Sequence, residues 1–563
     1  MKNNIRIAGL SMVMVVVLAV NVFGSGGSQS RTSTGIVTID TSVVGAAQFG
    51  VQEGVYWTDI LKEDVGVQLN GINSSVENMN AMFAAQDLPE LIISNNMPII
   101  TNIINAGIFI DLDQYKDKIP NILNLEKMCL YMRDNWSNGT GKLYAIRTLS
   151  SNQYNSRGGN NRGPYMRWDY YKEIGAPAIN EFEDYLDVLK QIVDRHPVNE
   201  AGQKIYGMSL WNDWDGGTMN CAAEVMDYFD LEMIRGSGLN FLEYNLSTKK
   251  SNSVLDNDSV YKRGAKFLFK ANQMGLLDPD SPTQGWEQRS EKATAGRVLF
   301  SSNSWAFGSF NTPAKAQQGI GTMMVPFTKE KIYNYSAPTY VGNQVYIGVN
   351  KNSKNIDKIL ELLNYMFSID GYMNLQFGRR GILWDVDSSG EPYFTELYWQ
   401  MQADLNLEFD NGGRPEGGWA SLVTGEPPLS GLTINPAWNR RLDGADWIKK
   451  DFAPKDTALV LDWQKTMNAV DEMDYFTKHD LLAKAPFAQM PAYPDDIQIL
   501  INRIGEVVRP GTWKAVMANS EAEFEAIWAQ MSADAKGIGI DRVLEWTLQT
   551  YEKAAAEGSK YMW

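Results

Sequence analysis

Cysteine and histidine are scarce, with two of each in 563 residues. Two thiols cannot form the disulfide framework of a small secreted domain or a cysteine-held metal cluster. His196 and His479 are isolated, which suits surface or capping roles better than catalysis. Positive charge is also in deficit: 51 Lys and Arg against 67 Asp and Glu leave a formal charge of -16. That balance excludes the basic face that nucleic acid or an anionic membrane surface selects for. Catalytic signatures are missing as well. GTGKL at 139–143 lacks the leading glycine and the Ser/Thr of a phosphate-binding loop, and neither GxSxG nor HExxH occurs.

What is present is apolar enough to fold. Hydrophobic residues make up 44% and aromatics 11%, and the length calls for two or more lobes. Lys2 and Arg6 precede an apolar run from Ile7 to Val20, shorter than the roughly 20 residues of a membrane span. With Val22, Phe23 and Gly24 before Ser25 it reads as an export signal over 1–24. An uncleaved anchor is the alternative. Residues 25–34 form a Gly/Ser-rich tether.

Ile36–Ile39 reads as a first strand, Tyr56–Val65 as a helix ending before Gly66, and a second strand follows. Met79, Met82 and Phe83 keep helical spacing until Asp87 and Pro89, after which Leu91–Ile93 is a buried parallel strand ending in Ser94, Asn95 and Asn96. Ligands of open α/β sheets bind outside the carboxyl ends of strands, which makes Asn95 a ligand candidate as well as a plain loop residue. Asn180 and Glu183 have capping-box spacing before an apolar stripe of Phe182, Tyr185, Leu186, Leu189, Ile192 and Val193, closed by Pro197. Ser520 and Glu523 repeat that capping pattern near the end of the chain. In WNDWDGG, Trp211 and Trp214 flank Asp213, and Asp215 precedes two glycines. Indole faces stack on the C–H faces of pyranose rings while carboxylates accept their hydroxyls; a buried Trp beside a turn would look the same.

Gly141, Lys142, Tyr144 and Ile146, then Arg167, Asp169, Tyr170, Tyr171, Ile174 and Gly175, run through the stretch Gly139–Gly175. It resembles the first lobe crossover of bacterial extracellular solute-binding proteins of the family 1 type, oligosaccharide branch, the ligand receptors of ABC importers. Arg147 stands where that family has proline. The segments Tyr261–Leu277, Gly296–Trp305 and Val345–Ser368 also match, as do the turn residues Gly378, Gly381, Trp384, Asp387, Gly390 and Pro392. The resemblance implies an α/β fold of two discontinuous lobes joined by a hinge (periplasmic binding protein-like, type II), with a helical C-terminal extension. One lobe would be 35–148 with 343–377, the other 149–342 with 378–563.

The resemblance further implies an extracytoplasmic, periplasmic or extracellular monomer that binds an oligosaccharide and passes it to a membrane permease. Trp211, Trp214, Trp286, Trp305 and Trp384 would supply stacking surfaces; Asn95, Asn152, Arg157, Asp213 and Arg380 would supply polar contacts. No cofactor and no metal are expected, because HPVNEAGQKIYG at 196–207 lacks the alternating acidic ligands of the family's calcium loop. Ser25 occupies the lipobox cysteine position, so thioether lipidation is not expected. The alternatives are a secreted carbohydrate-active enzyme using Asp213 and Asp215, or a peptide or lipid receptor on the same scaffold. Cys129 and Cys221 fall on opposite sides of the first crossing, so both are expected to be unpaired and at least partly buried.

Overall fold

The computed structural model describes residues 35–44, 56–152, 162–232, 238–307, 310–327, 329–333, 341–342, 345–403, 407, 427–491 and 493–561. The expected export signal, the tether with Ser25, and Arg157 lie outside them.

Strand β1 (Val37–Val44) pairs in parallel with β2 (Val67–Ser74), from Val37 opposite Val67 to Val44 opposite Ser74. Between them α1 (Tyr56–Asp64) buries Trp57, Ile60 and Leu61 on one face, and the chain turns at Gly66, whose φ of 69° suits a residue without Cβ. Helix α2 (Val76–Ala85) starts on the Ser75 side chain and ends at left-handed Gln86, just before the break expected at Asp87. β3 (Leu91–Ser94) is buried at every residue and lies parallel to β1, as a strand covered on both faces should. Asn96 then caps α3 (Met97–Asn105), its Oδ1 accepting from the Ile99 N–H at 3.1 Å. Helix α4 (Glu126–Asn135) follows, and β4 (Ile146–Arg147) is all that pairs of the expected run Leu143–Ile146.

The chain then crosses. β5 (Arg162–Arg167) is a strand where the sequence reads as polar loop, and the amphipathic stretch from Met166 begins at its end and continues in α5 (Trp168–Glu173). Helix α6 (Asp184–Arg195) carries the expected apolar stripe but not the Asn180–Glu183 capping box. The Asp184 carboxylate instead accepts the backbone N–H groups of Asn180 and Glu181. Helix α7 (Val260–Gln273), capped by Ser259, leads through α8 (Trp286–Thr294) to β6 (Phe300–Asn303) and β7 (Thr322–Met324). β5 lies between β6 and β7, antiparallel to both.

β8 (Tyr346–Val349) returns to the first sheet and inserts antiparallel between β3 and β4, giving the order β2-β1-β3-β8-β4. Helices α9 (Ile356–Met366) and α10 (Ile369–Phe377) pack behind it. Two separate cores result, and the fold is a two-lobe α/β architecture. Ile39, Leu91, Ile100, Tyr131, Ile347 and Leu363 lie in the first, and Met166, Phe182, Leu189, Phe267, Phe300 and Trp528 in the second. Each such side chain contributes about 1.5–3 kcal/mol by leaving water.

The division at 378 needs correction. Trp384, Phe394, Leu429, Leu442 and Trp447 pack in the first core, and only from Leu459 and Trp463 does the chain rejoin the second. Aromatic attraction explains the shift: Phe394 and Trp447 stack at 4.6 Å, and Phe377 meets both edge-on. The extension, helical as expected, comprises α11 (Asp495–Val516), α12 (Glu521–Ile538) and α13 (Ile540–Gly558); α12 starts on Ser520, whose Oγ accepts from the Glu523 N–H. Beyond α13, Tyr561 reaches back into the first core, edge-on to Tyr131 at 5.1 Å. Cys129 and Cys221 are free and buried, in the first and second core respectively. Among the described residues no helix is long and apolar enough to cross a membrane.

Candidate functional site

Strand register shows which end of each sheet adjoins the crossing. In the first sheet, Tyr346 at the start of β8 lies opposite both Ser94, the last residue of β3, and Arg147, the last of β4. The edge that carries Ser94, Asn95 and Asn96 is therefore the edge where the chain leaves the lobe and comes back. In the second sheet Arg162, the first residue after the crossing, lies opposite Asn303, the last residue of β6. Ser304–Phe307, with Trp305, thus sit on the hinge-side edge of the second lobe.

The crossing strands are close-packed. Thr148 N–H donates to the Val345 carbonyl, Leu149 N–H to Pro427 and Ser150 N–H to Pro428. Gly342 adopts a φ of 72°, and a Cβ there would lie 2.0 Å from the Thr148 carbonyl oxygen. Arg147 is buried with its guanidinium carbon 5.0 Å from the Tyr131 ring centroid and 5.3 Å from that of Tyr346. The residue that stands in place of proline is thus packed as a cation between two rings.

On the second-lobe edge four indoles gather from three segments distant in sequence. Trp214 stacks on Trp286 at 5.0 Å and 27° and tilts over Trp305 at 5.6 Å. Trp286 and Trp305 are 5.1 Å apart. Trp211 meets Trp214, Trp286 and Trp305 edge-on, at 5.6, 5.1 and 6.3 Å. Trp211 is 2% exposed and forms the floor, whereas Trp214, Trp286 and Trp305 are half-buried and present surface outward. Beside Trp286 a recess of about 580 Å³ runs along α8, lined by Glu287, Ser290, Glu291, Thr294 and Ala295, a size that suits a small ligand.

The two carboxylates of WNDWDGG are used within the protein. Both oxygens of Asp213 accept from the Trp286 N–H, at 3.1 and 3.0 Å, at the start of α8. The helix N-cap is Gly285, which has no side chain to offer, and Asp213 takes its place across 72 intervening residues. A Cβ on Gly285 would lie 2.9 Å from Asp213 Oδ2, so the glycine admits that approach. Asp215 accepts from the Asn220 N–H at 2.8 Å and from Trp513 Nε1 at 2.6 Å; burial pushes its carboxyl above the ordinary range against those two donors.

Beneath the indoles lies a polar layer that the sequence does not advertise. Glu224 accepts from Asn220 Nδ2 and Asn303 Nδ2, at 3.0 and 3.1 Å. Arg162 pairs with buried Asp227 at 2.8 Å, and burial raises the Asp227 carboxyl to about 6 although the guanidinium opposes it. Arg289, one turn after Trp286, is wholly buried. These residues come from separate segments, and only their juxtaposition marks them.

The other expected residues are distributed differently. Asn95 is exposed at the hinge-side edge of the first lobe, and Asn152 is exposed within the crossing. Trp384 is 6% exposed, donates its indole N–H to the Gly378 carbonyl at 2.7 Å and packs on Trp438 and Trp447 in the first core. It does not join the four-indole group. Arg380 is exposed and held by Asp385 at 2.7 Å. His196 is stacked on Tyr170 at 3.9 Å and bonded to Glu173, an anchoring position. The 196–207 loop is closed by Asn199, whose Oδ1 accepts the N–H groups of Ala201 and Gln203.

No family model matches the chain, and no curated protein matches it in sequence. Solved structures do match in fold. An HMO binding ABC-transporter associated solute binding protein from Bifidobacterium longum infantis aligns over 92% of this chain and 99% of its own, at 15% identity and a TM-score of 0.59. The S. pneumoniae ABC-transporter substrate binding protein FusA, an EF-hand mutant in complex with fructo-nystose, aligns over 92% and 100%, at 13% identity and 0.58. The alginate-binding protein AlgQ2 without calcium ion aligns over 92% and 99%, at 15% identity and 0.57.

Proposed function

We propose that this protein, built on the two-lobe fold shared with those solute-binding proteins, is the extracytoplasmic binding subunit of an ABC importer. It takes an oligosaccharide between its lobes, closes by a hinge motion and presents the closed form to a membrane permease. The observation that carries this reading is the group of four indoles on the hinge-side edge of the second lobe. Three half-buried rings at mutual tilts offer successive faces to successive sugar rings, and Asn95 and Asn152 offer amide donors and acceptors from the opposite side. Exported by its N-terminal signal, the protein acts as a monomer. Arg157 supplies a further polar contact.

Binding is favoured over turnover. A glycosidase needs two carboxyls facing one bond, roughly 5–9.5 Å apart, whereas Asp213 caps α8 and Asp215 holds Trp513 and Asn220. The test is a panel of neutral and acidic oligosaccharides, peptides and lipids scored for thermal shift and for released product. A saccharide that raises the melting temperature and is recovered intact supports the reading. Release of product, or shifts with peptides or lipids only, overturns it.

A further inference from the structure

Arg289 has no role in the binding scheme above, yet its position is unusual. It is 0% exposed, and among the described residues no carboxylate bonds to it, Glu224 acting on it only through its charge. Its Nε donates to the Ser209 carbonyl at 3.3 Å and its Nη1 to the Ala306 carbonyl at 2.5 Å, while Nη2 has no hydrogen-bond partner among the described residues. Its guanidinium carbon lies 5.4 Å from the Trp211 ring centroid, 5.5 Å from Trp286 and 5.6 Å from Phe307. Burial lowers its pKa only to about 10, so it remains a cation at neutral pH.

A buried cation with no ion-pair partner is expensive unless something else is gained. Here the bonded carbonyls identify the gain. Ser209 lies two residues before Trp211, and Ala306 directly follows Trp305. Arg289 itself is on α8 one turn beyond Trp286, on the same helix face. One planar fork therefore ties together all three segments that carry the indoles, with its charge over two of the four indole rings, Trp211 and Trp286.

We infer that Arg289 is the positioning residue of the aromatic platform: it sets the mutual tilt of the four indoles before any ligand arrives. It does not touch the ligand. The sugar-binding reading is needed only for the affinity part of the test, because the tilt is measurable without ligand.

The experiment compares wild type with Arg289→Met, which keeps bulk but removes charge and donors, and Arg289→Lys, which keeps the charge. The first readout is the exciton couplet of coupled indoles in the circular dichroism of the ligand-free protein, assigned to this group by its loss in Trp214→Phe. The second is calorimetric titration with kestose. Arg289→Met is expected to lose about half or more of the couplet and to bind about tenfold more weakly or worse; Arg289→Lys is expected to recover part of the couplet. A wild-type couplet in folded Arg289→Met overturns the inference even if the melting temperature drops, because that is what a merely structural residue would do. Should Arg289→Met fail to fold, Arg289→Lys decides: a diminished couplet supports the inference and an unchanged one overturns it. If wild type ignores kestose, the sugar assignment suffers while the couplet still judges Arg289.

Discussion

Replacing Asp213 separates a capping carboxylate from a catalytic one. In Asp213→Ala the Trp286 N–H loses both of its acceptors, and Gly285 cannot substitute. Removing a side-chain cap costs about 0.5–2 kcal/mol, to which the lost negative charge at a helix N-terminus adds about 0.3–1 kcal/mol. For a lobe of some 250 residues, a loss of about 1–3 kcal/mol lowers the melting temperature by roughly 2–12 °C. Asp213→Asn retains one oxygen acceptor and, because Asn caps about as well as Asp, should lose only the charge contribution of about 0.3–1 kcal/mol. Differential scanning calorimetry of the second-lobe transition reads both. A general acid or base would behave in the opposite manner, since Asn and Ala would then be equally inactive, with losses of about 10²–10⁴-fold in any turnover. The reasoning is refuted if Asp213→Asn is as unstable as Asp213→Ala, or if wild type cleaves a saccharide that Asp213→Asn leaves intact.

Trp214→Ala and Trp305→Ala should each weaken oligosaccharide binding by about 1–3 kcal/mol, read by titration calorimetry, while Trp384→Phe, a change inside the first core, should leave affinity unaltered. Burial raises the Glu472 carboxyl, which accepts from Tyr165 Oη at 2.6 Å, from 4.5 to about 7. A carboxyl raised in the folded state favours folding fully below about pH 4.5 and loses that contribution as pH rises through 7. Denaturant titrations should therefore show wild type falling by up to about 3 kcal/mol relative to Glu472→Gln between pH 4.5 and 8; parallel curves would contradict the assignment. Both thiols are buried, in different cores, and burial pushes Cys129 up to about 12 and Cys221 well above the ordinary thiol range. Mass spectrometry of non-reduced protein should find no alkylation when native and two adducts after denaturation, and an intramolecular disulfide would contradict the lobe assignment.

The first lobe was largely legible in the sequence because its signals are local. Val37–Val44 and Leu91–Ser94 are rich in β-branched residues, and the helices beside them begin or end at Ser75, Gln86 and Asn96, side chains or turns that act within four residues. The central strand of the second lobe was not legible. Arg162–Arg167 mixes charge, glycine and proline, and it becomes a strand only because β6 and β7 pair on either side. The boundary at 378 failed for the same reason, since Trp384 and Trp447 are drawn into the first core by Phe377 and Phe394. At the site, the run WNDWDGG singled out Trp211 and Trp214, and the family resemblance singled out Trp286 and Trp305. The sequence did not reveal that Asp213 accepts from a backbone N–H 73 residues away, and it passed over Arg289 because a lone arginine in a helix carries no mark of burial.

The central claim is that a saccharide on the indoles draws the two lobes together. Small-angle scattering and tryptophan emission followed in one titration, with whichever oligosaccharide gives the largest thermal shift, test it together. The expected result is a saturable change in emission accompanied, at the same midpoint, by a fall in the radius of gyration. A saturable emission change at constant radius would contradict closure, and no response of either signal to any saccharide would contradict the assigned ligand.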